Sequence, residues 1–471
     1  MEKIEQSLFI NGEWRNPIKN NSKEVINPAT TQAICKIGYG GAEDALLAID
    51  AADRAFPFWS ATSVRERANI LNRVADLLRE RVDKIAQTLA DETGKPFAQA
   101  AGEVKFSAEY FQWFAEEIRR PNGYSVPSDA ANKRHIILHQ PAGVALILTP
   151  WNFPVSIQAR KLAPALGAGC TVVSRASDVA PLSVIELYKC LQDAGIPKGV
   201  ANLIQGPAAA TTEAMMKHPA VRVVSFTGST PVGRLLMHQA ADKVLRLALE
   251  LGGNAPFIVG EDADTEKAVE GAMIAKFRNC GQSCIGANRF YVHEKVYDQF
   301  VSRFAEEASK LDAKADLGTL VNLKSKERIE KLVSEAEKLG GKNLVSKIKL
   351  PDEGYYVSPV LMVNVPESAA FGREELFAPA APIYKYSNEA EVIKKANDTD
   401  MGLAAYVYTN DLGASTRITE ALKYGIIGLN NALPSVAYTP MGGVKQSGFG
   451  REGGAAGLAE FMDVKYVANE L

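Results

Sequence analysis

From Gly143 onward, short apolar runs at 144–149, 170–174, 201–205 and 221–226 alternate with helix-like stretches at 155–167, 181–194, 208–217 and 231–240. This rhythm restricts the fold most, because strands joined through helices cannot pair as hairpins and so lie parallel, with helices covering both faces of the sheet. The second half repeats the alternation more loosely, with helices expected at 264–278, 295–311 and 324–340 and β runs at 288–292, 356–363, 403–409 and 425–429. Before Gly143 the pattern is helical at 42–56, 64–93 and 103–119. In the second of these, Ile70, Leu71, Val74, Leu77, Leu78, Val82, Ile85 and Leu89 recur at helical spacing until Gly94 and Pro96 end the run. The aromatic residues Phe106, Tyr110, Phe111, Trp113 and Phe114 read as packed core. A chain of 471 residues is too long for one ordinary core, so two or three domains are expected.

Composition narrows the function classes. Hydrophobic residues at 46% and charged residues at 23% fit a soluble globular protein, and a net charge of −2 gives no case for nucleic acid or an anionic membrane. No apolar run approaches the roughly 18–20 residues of a membrane span, and the N-terminus lacks a signal-peptide core, so a cytoplasmic protein is expected. The five cysteines are odd in number and scattered, which argues against a disulfide framework. The histidines have no metal-ligand spacing, and a metal-free protein is expected.

Two stretches point to chemistry. In Lys276–Val292, a turn from Asn279 to Ser283 ends at Cys284 and a β-rich run follows. Gly281 lets the backbone bend sharply there. A thiol at such a turn can be a nucleophile if nearby donors favour its thiolate, although most free cysteines are small buried apolar residues. Cys280, four residues earlier, either could be linked to Cys284 by peroxide or is packed against the preceding helix. The second stretch, Thr227-Gly228-Ser229-Thr230-Pro231-Val232-Gly233, leads from a strand into a helix N-terminus. It could hold pyrophosphate on its backbone amides, or it could be a simple helix cap. The common Gly-x-Gly-x-x-Gly fingerprint is absent.

These stretches resemble the aldehyde dehydrogenase superfamily. Asn279, Gly281, Gln282 and Cys284 match its Asn-x-Gly-Gln-x-Cys segment. Thr149-Pro150-Trp151-Asn152-Phe153-Pro154, Phe226-Thr227-Gly228-Ser229-Thr230-x-x-Gly233 and Leu249-Glu250-Leu251-Gly252-Gly253 match in the same order. The resemblance implies an α/β fold: a parallel-sheet dinucleotide-binding domain (1–119 and 140–250), an α/β catalytic domain (251–454), and a small β oligomerisation arm (120–139 and 455–471). It implies Cys284 as nucleophile, Asn152 and the cysteine's own N–H as oxyanion donors, and Glu250 as the base that hydrolyses a thioester. The cofactor would lie against Thr149, Pro150, Trp151, Phe226, Thr227, Gly228, Ser229, Gly233 and Leu251, with Glu375 and Phe377 at the nicotinamide ribose. Ala378 stands where the family usually has glycine.

At the adenosine end the family's Lys-Pro-x-Glu/Ser is here Arg175-Ala176-Ser177-Asp178. Arg175 would attract a 2′-phosphate and Asp178 would repel it, so NAD or NADP is expected with a lean to NAD. Within the family the resemblance is to succinate-semialdehyde dehydrogenases, and it implies Arg160, Arg289 and Ser435 as a clamp on a distal carboxylate. The implied partners are a small aldehyde substrate and further copies of the chain, as a homodimer or homotetramer. A broad-specificity aldehyde dehydrogenase and a non-catalytic binding protein on the same fold are the alternatives.

Overall fold

The computed structural model describes residues 2–4, 7–121 and 123–471. Its first large sheet has eight strands. Arg246–Glu250, Val221–Thr227, Val144–Leu148, Thr171–Arg175 and Ala201–Ile204 lie side by side and parallel. The sheet is closed at one edge by Leu8–Ile10 and Glu13–Arg15, and at the other by Gly448–Phe449. Val144–Leu148 is buried at every residue, as befits a strand covered on both faces. Among its covering helices are Ala42–Ala61, Pro154–Ala168, Leu182–Asp193 and Ala208–Lys217.

The second sheet has seven strands, in the order Lys342–Asn343, Val360–Val363, Ala380–Tyr386, Ala287–His293, Ala255–Val259, Ala404–Tyr408 and Ile426–Leu429. All its pairings are parallel except the first. Two smaller sheets complete the set. In one, Met462–Glu470 pairs antiparallel with Lys133–Pro141, which also pairs with Tyr124–Val126. In the other, Ala33–Gly38 lies between Glu2–Ile4 and Ser22–Ile26.

Several elements depart from the sequence pattern. The expected 64–93 helix is two, Val64–Glu80 and Val82–Thr93, broken where Arg81 leaves helical geometry (φ −108°, ψ 17°). The helix expected from 103 starts at Phe97, directly after Pro96. The run 356–363 is strand only over Val360–Val363. Ala255–Val259 was missed because a proline in a strand argues against a central position. The ladder shifts register between Ala255 and Pro256, and this bulge accommodates the missing N–H.

Helix Pro154–Ala168 fixes the site. All fifteen of its residues are buried, including Gln158, Arg160 and Lys161, so these polar groups must find partners inside the protein. Its N-cap, Phe153, offers no side-chain cap. Instead the Glu103 carboxylate, from helix Phe97–Glu117, accepts from Val155 N (3.0 Å) and Ser156 N (3.2 Å). Glu92 does the same for helix Leu182–Asp193, accepting from Leu182 N (2.6 Å) and Ser183 N (2.9 Å). Among the described residues no helix is long and apolar enough to cross a membrane, and no cluster of His, Cys, Asp or Glu is arranged to hold a metal ion.

Candidate active site

The turn before Cys284 takes its shape from three successive left-handed residues: Asn279 (φ 54°), Cys280 (φ 54°) and Gly281 (φ 72°). A Cβ on Gly281 would lie 2.2 Å from the Ala378 carbonyl oxygen, so only glycine fits this approach. Gln282 braces the turn. Its amide donates to Asn279 O (3.1 Å) and Thr319 O (3.0 Å), and its Oε1 accepts from Val321 N (2.9 Å). Cys280 packs wholly inside the core beneath the second sheet, and both cysteines are free thiols.

Asn152 is tied to the same turn. Asn279 Nδ2 donates to Asn152 O (2.9 Å), and Asn152 Nδ2 donates to Gln282 O (3.1 Å). A side-chain amide carries two N–H groups, so Asn152 retains one for another acceptor.

Cys284 is half-buried, and its thiol lies beside the Glu250 carboxylate at the end of strand Arg246–Glu250. Burial first, and then Glu250, push the thiol well above its usual range, while Arg160 pulls it down. The sequence made the nucleophile reading conditional on nearby donors that favour a thiolate. The surroundings instead favour the protonated thiol, with a carboxylate in place to take its proton.

Behind Glu250 runs a chain of buried charges. Arg160 Nη2 lies 2.9 Å from Glu250 Oε2, and Arg160 Nε lies 2.5 Å from Glu452 Oε2. Lys161 pairs with Glu452 and donates to Ser225 Oγ (3.0 Å). Burial opposes the charge on Arg160, but Glu452 and Glu250 outweigh it and raise the guanidinium above its ordinary value. The third face of Arg160, Nη1, is turned to the Met441 sulfur, a weak acceptor.

Cys284, Arg160, Ser435 and Met441 line a cavity of about 400 Å³, together with Phe153, Ile157, Phe106 and Arg278. The Tyr110 hydroxyl is buried against Arg160 and Ser435. Arg278 was not anticipated. Its guanidinium lies 5.1 Å from the Phe153 ring centroid, is open to solvent, and makes no ion pair among the described residues.

Arg289 is a correction: it does not reach this cavity. It is 3% exposed and donates to Asn254 O (2.9 Å), Ala396 O (3.0 Å), Lys395 O (3.2 Å) and the Tyr424 hydroxyl (3.0 Å). Its strand turns it to the face it shares with Tyr291, where backbone carbonyls saturate it. Arg278, directly before Asn279, is the arginine that lines the cavity beside Arg160 and Ser435.

Most residues expected at the cofactor lie at the carboxyl ends of the first sheet's strands, the usual ligand crevice of a parallel α/β sheet, whereas Glu375 and Phe377 precede strand Ala380–Tyr386 of the second sheet. The donor set suits a nicotinamide dinucleotide. Helix Thr230–Ala241 begins at Ser229 without a side-chain cap, leaving first-turn N–H groups for a phosphate. Gly228 N donates to Glu250 O (3.1 Å), and a Cβ on Gly233 would lie 2.6 Å from Leu251 Cδ2, which fixes that turn against the strand. Thr149 Oγ1 accepts from Gln158 (2.8 Å), and the Trp151 and Phe377 rings meet edge to face at 5.7 Å. Glu375 accepts from Gly253 N (3.0 Å). Burial and then Glu250 push its carboxyl to about 7, against the effect of that N–H. At the far end Asp178 is held by Arg175, the Tyr39 hydroxyl (2.7 Å) and Lys23 Nζ (3.1 Å). Ser177 is buried beside it and accepts from Val179 N (3.3 Å).

A cysteine beside a carboxylate, in a protein built on a parallel α/β sheet with its usual ligand crevice, suits thiol chemistry next to a dinucleotide. The match to known proteins gives the family. Residues 14–467 fit the aldehyde dehydrogenase family, and the chain belongs to it. It is 42% identical to succinate-semialdehyde dehydrogenase [NADP(+)] GabD of Escherichia coli (strain K12) and to glutarate-semialdehyde dehydrogenase of Pseudomonas putida (strain KT2440), in each case over 98% of this chain and 97% of the relative. The crystal structure of succinate-semialdehyde dehydrogenase from Burkholderia pseudomallei superposes with a TM-score of 0.97 at 41% identity, covering 99% of this chain and 98% of that one. The protein is therefore an NAD(P)-dependent oxidoreductase with the aldehyde dehydrogenase fold.

Proposed function

We propose that the chain oxidises a small aldehyde bearing a distal carboxylate, with succinate semialdehyde favoured, to the dicarboxylic acid. The observation that carries this reading is the pair of guanidiniums on the wall of the cavity that holds Cys284. Arg160 turns one nitrogen toward the Met441 thioether, a weak acceptor, near the Tyr110 hydroxyl, and Arg278 makes no ion pair among the described residues. A carboxylate across the cavity from the thiol would satisfy both, with Ser435 and Tyr110 as further donors. The names of the related semialdehyde dehydrogenases agree.

The reaction follows from the geometry. Glu250 takes the proton of Cys284, and the sulfur adds to the aldehyde carbon to give a thiohemiacetal. Asn152 offers its spare N–H to the new oxyanion, together with the backbone N–H of Cys284. When bound, the nicotinamide cofactor supplies the hydride acceptor. The resulting thioester needs water, and Glu250 is placed to activate it and then return a proton to the departing sulfur.

At the adenosine end we infer that both cofactors are accepted. Three donors already engage Asp178, which weakens its bias toward a ribose hydroxyl, and the cluster with Arg175 and Lys23 is net positive. The lean to NAD therefore has little structural support, and the E. coli relative is named for NADP. A homo-oligomer and a cytoplasmic location complete the proposal. The exposed Val464 and Tyr466, on the edge strand Met462–Glu470, offer one surface for a second copy.

Trapping the acyl-enzyme tests the mechanism. Glu250→Gln mixed with succinate semialdehyde and cofactor should hold a succinyl thioester on Cys284, visible by intact-protein mass spectrometry. An unmodified cysteine with undiminished turnover would refute the role of Glu250.

A further inference from the structure

We propose that Lys95 and Glu103 form a positioning pair that sets the oxyanion donor, an inference that rests on Asn152 holding that role. The two side chains are 1% and 2% exposed, and Lys95 Nζ lies 2.5 Å from Glu103 Oε2. Burying two charges costs more than an ion pair usually returns relative to apolar residues of similar size, so energy alone does not explain the pair. What distinguishes it is where its remaining hydrogen bonds go. Lys95 Nζ donates to Asn152 O (2.8 Å) and sits 4.4 Å from the Phe153 ring centroid. The other Glu103 oxygen accepts from Val155 N and Ser156 N. One ion pair thus grips the backbone from Asn152 to Ser156 at both ends, and both residues line the cavity that holds Cys284.

Helix capping alone does not require the lysine. Glu92 caps helix Leu182–Asp193 in the same manner, with Ser183 adding its hydroxyl, and has no ion-pair partner among the described residues. The difference between the two caps is the Asn152 carbonyl. That carbonyl accepts from Lys95 on one side and Asn279 on the other, so the Asn152 backbone is fixed between the link that leads into helix Phe97–Glu117 and the cysteine turn. The Asn152 amide then has little freedom to follow a misplaced oxyanion. Lys95 touches neither reacting atom in this scheme and works only through Asn152.

The test is a double-mutant cycle on the full-length enzyme, read by the rate of the first turnover of reduced cofactor after mixing. Lys95→Met should slow that turnover by about tenfold or more, with KM changed by less than about threefold, as expected when a transition-state donor is misplaced. Lys95→Arg, which keeps a donor and the charge, should recover most of the rate. In an Asn152→Ala background, Lys95→Met should cost no more than about twofold, because its effect passes through the missing amide. An equal loss in both backgrounds would overturn the proposal while leaving Asn152 in its role. A normal first turnover in Asn152→Ala alone would instead overturn the oxyanion reading, and the pair's assignment with it. Should Lys95→Met fail to fold, Glu103→Gln carries the same cycle, with the same coupling expected and additivity as the contrary result.

Discussion

The Glu250 carboxylate lies beside the Cys284 thiol and is held from behind by Arg160 at 2.9 Å, so one buried group stands between the thiol and a fixed cation. Because Glu250 raises the thiol's pKa, neutralising it should have opposite effects on two measurements. Glu250→Gln should slow steady-state turnover by a factor on the order of a hundred or more through deacylation. It should also speed iodoacetamide alkylation of Cys284 at pH 7, since more thiolate is present once the like charge is gone. Slower alkylation in the variant would mean that Glu250 does not hold the thiol protonated.

The two arginines separate cleanly. Arg278→Ala should raise KM for succinate semialdehyde about tenfold or more, roughly 1.4 kcal/mol, and leave butanal nearly unchanged. Arg289→Met should leave the ratio between the two aldehydes intact and lower the melting temperature, because it removes the two guanidinium donors to the buried Asn254 carbonyl, at about 1–3 kcal/mol. A selective effect of Arg289→Met on the anionic aldehyde would reverse the assignment.

Cofactor choice depends on Asp178. Asp178→Ala frees Arg175 and Lys23, and binding of NADP relative to NAD should strengthen by about fivefold or more, as expected for one carboxylate removed beside a phosphate. Fluorescence titration of each nucleotide measures this without turnover. An unchanged ratio would place the 2′-position elsewhere.

Glu92 gives a pH-dependent stability. Burial pushes its carboxyl up to about 7, against the Ser183 and Leu182 donors, so the folded state holds a proton that the unfolded chain releases near 4.5. Its contribution is full below about 4.5, declines as pH rises, and is gone above about 7. Glu92→Gln, which cannot ionise, should therefore gain stability relative to wild type between pH 5 and pH 8. Melting curves at both pH values check this, and a relative loss over that interval would show that the helix N–H groups outweigh burial.

The sequence made Cys284, Glu250 and Asn152 readable because each sits inside a short motif whose spacing is local. Arg160 was legible as a guanidinium but not as the partner of Glu250 and Glu452, since those contacts span 90 and 292 residues of chain. Arg289 misled because it follows Cys284 closely in sequence, yet a strand alternates its faces and this one turns Arg289 away. The available signal was Arg278, part of the turn that positions the cysteine. Lys95 and Glu103 gave no signal, because a lysine just before a helix and a glutamate within it look like surface charge until the fold buries them. Among the elements, Val144–Leu148 and its parallel neighbours followed from unbroken apolar runs, whereas Ala255–Val259 was hidden by Pro256.

The account's central claim is that the cavity at Cys284 is built for an aldehyde with a distal carboxylate. The most direct measurement is kcat/KM for succinate semialdehyde against butanal, which has the same carbon count and no charge, with wild-type enzyme and saturating cofactor. The account predicts a preference for the semialdehyde of well over tenfold, roughly 2–4 kcal/mol, because only the anion makes charge-assisted hydrogen bonds to Arg278 and to the Nη1 group of Arg160 that the two glutamates leave over. Equal values for the two aldehydes would contradict it and leave an aldehyde dehydrogenase without a carboxylate clamp.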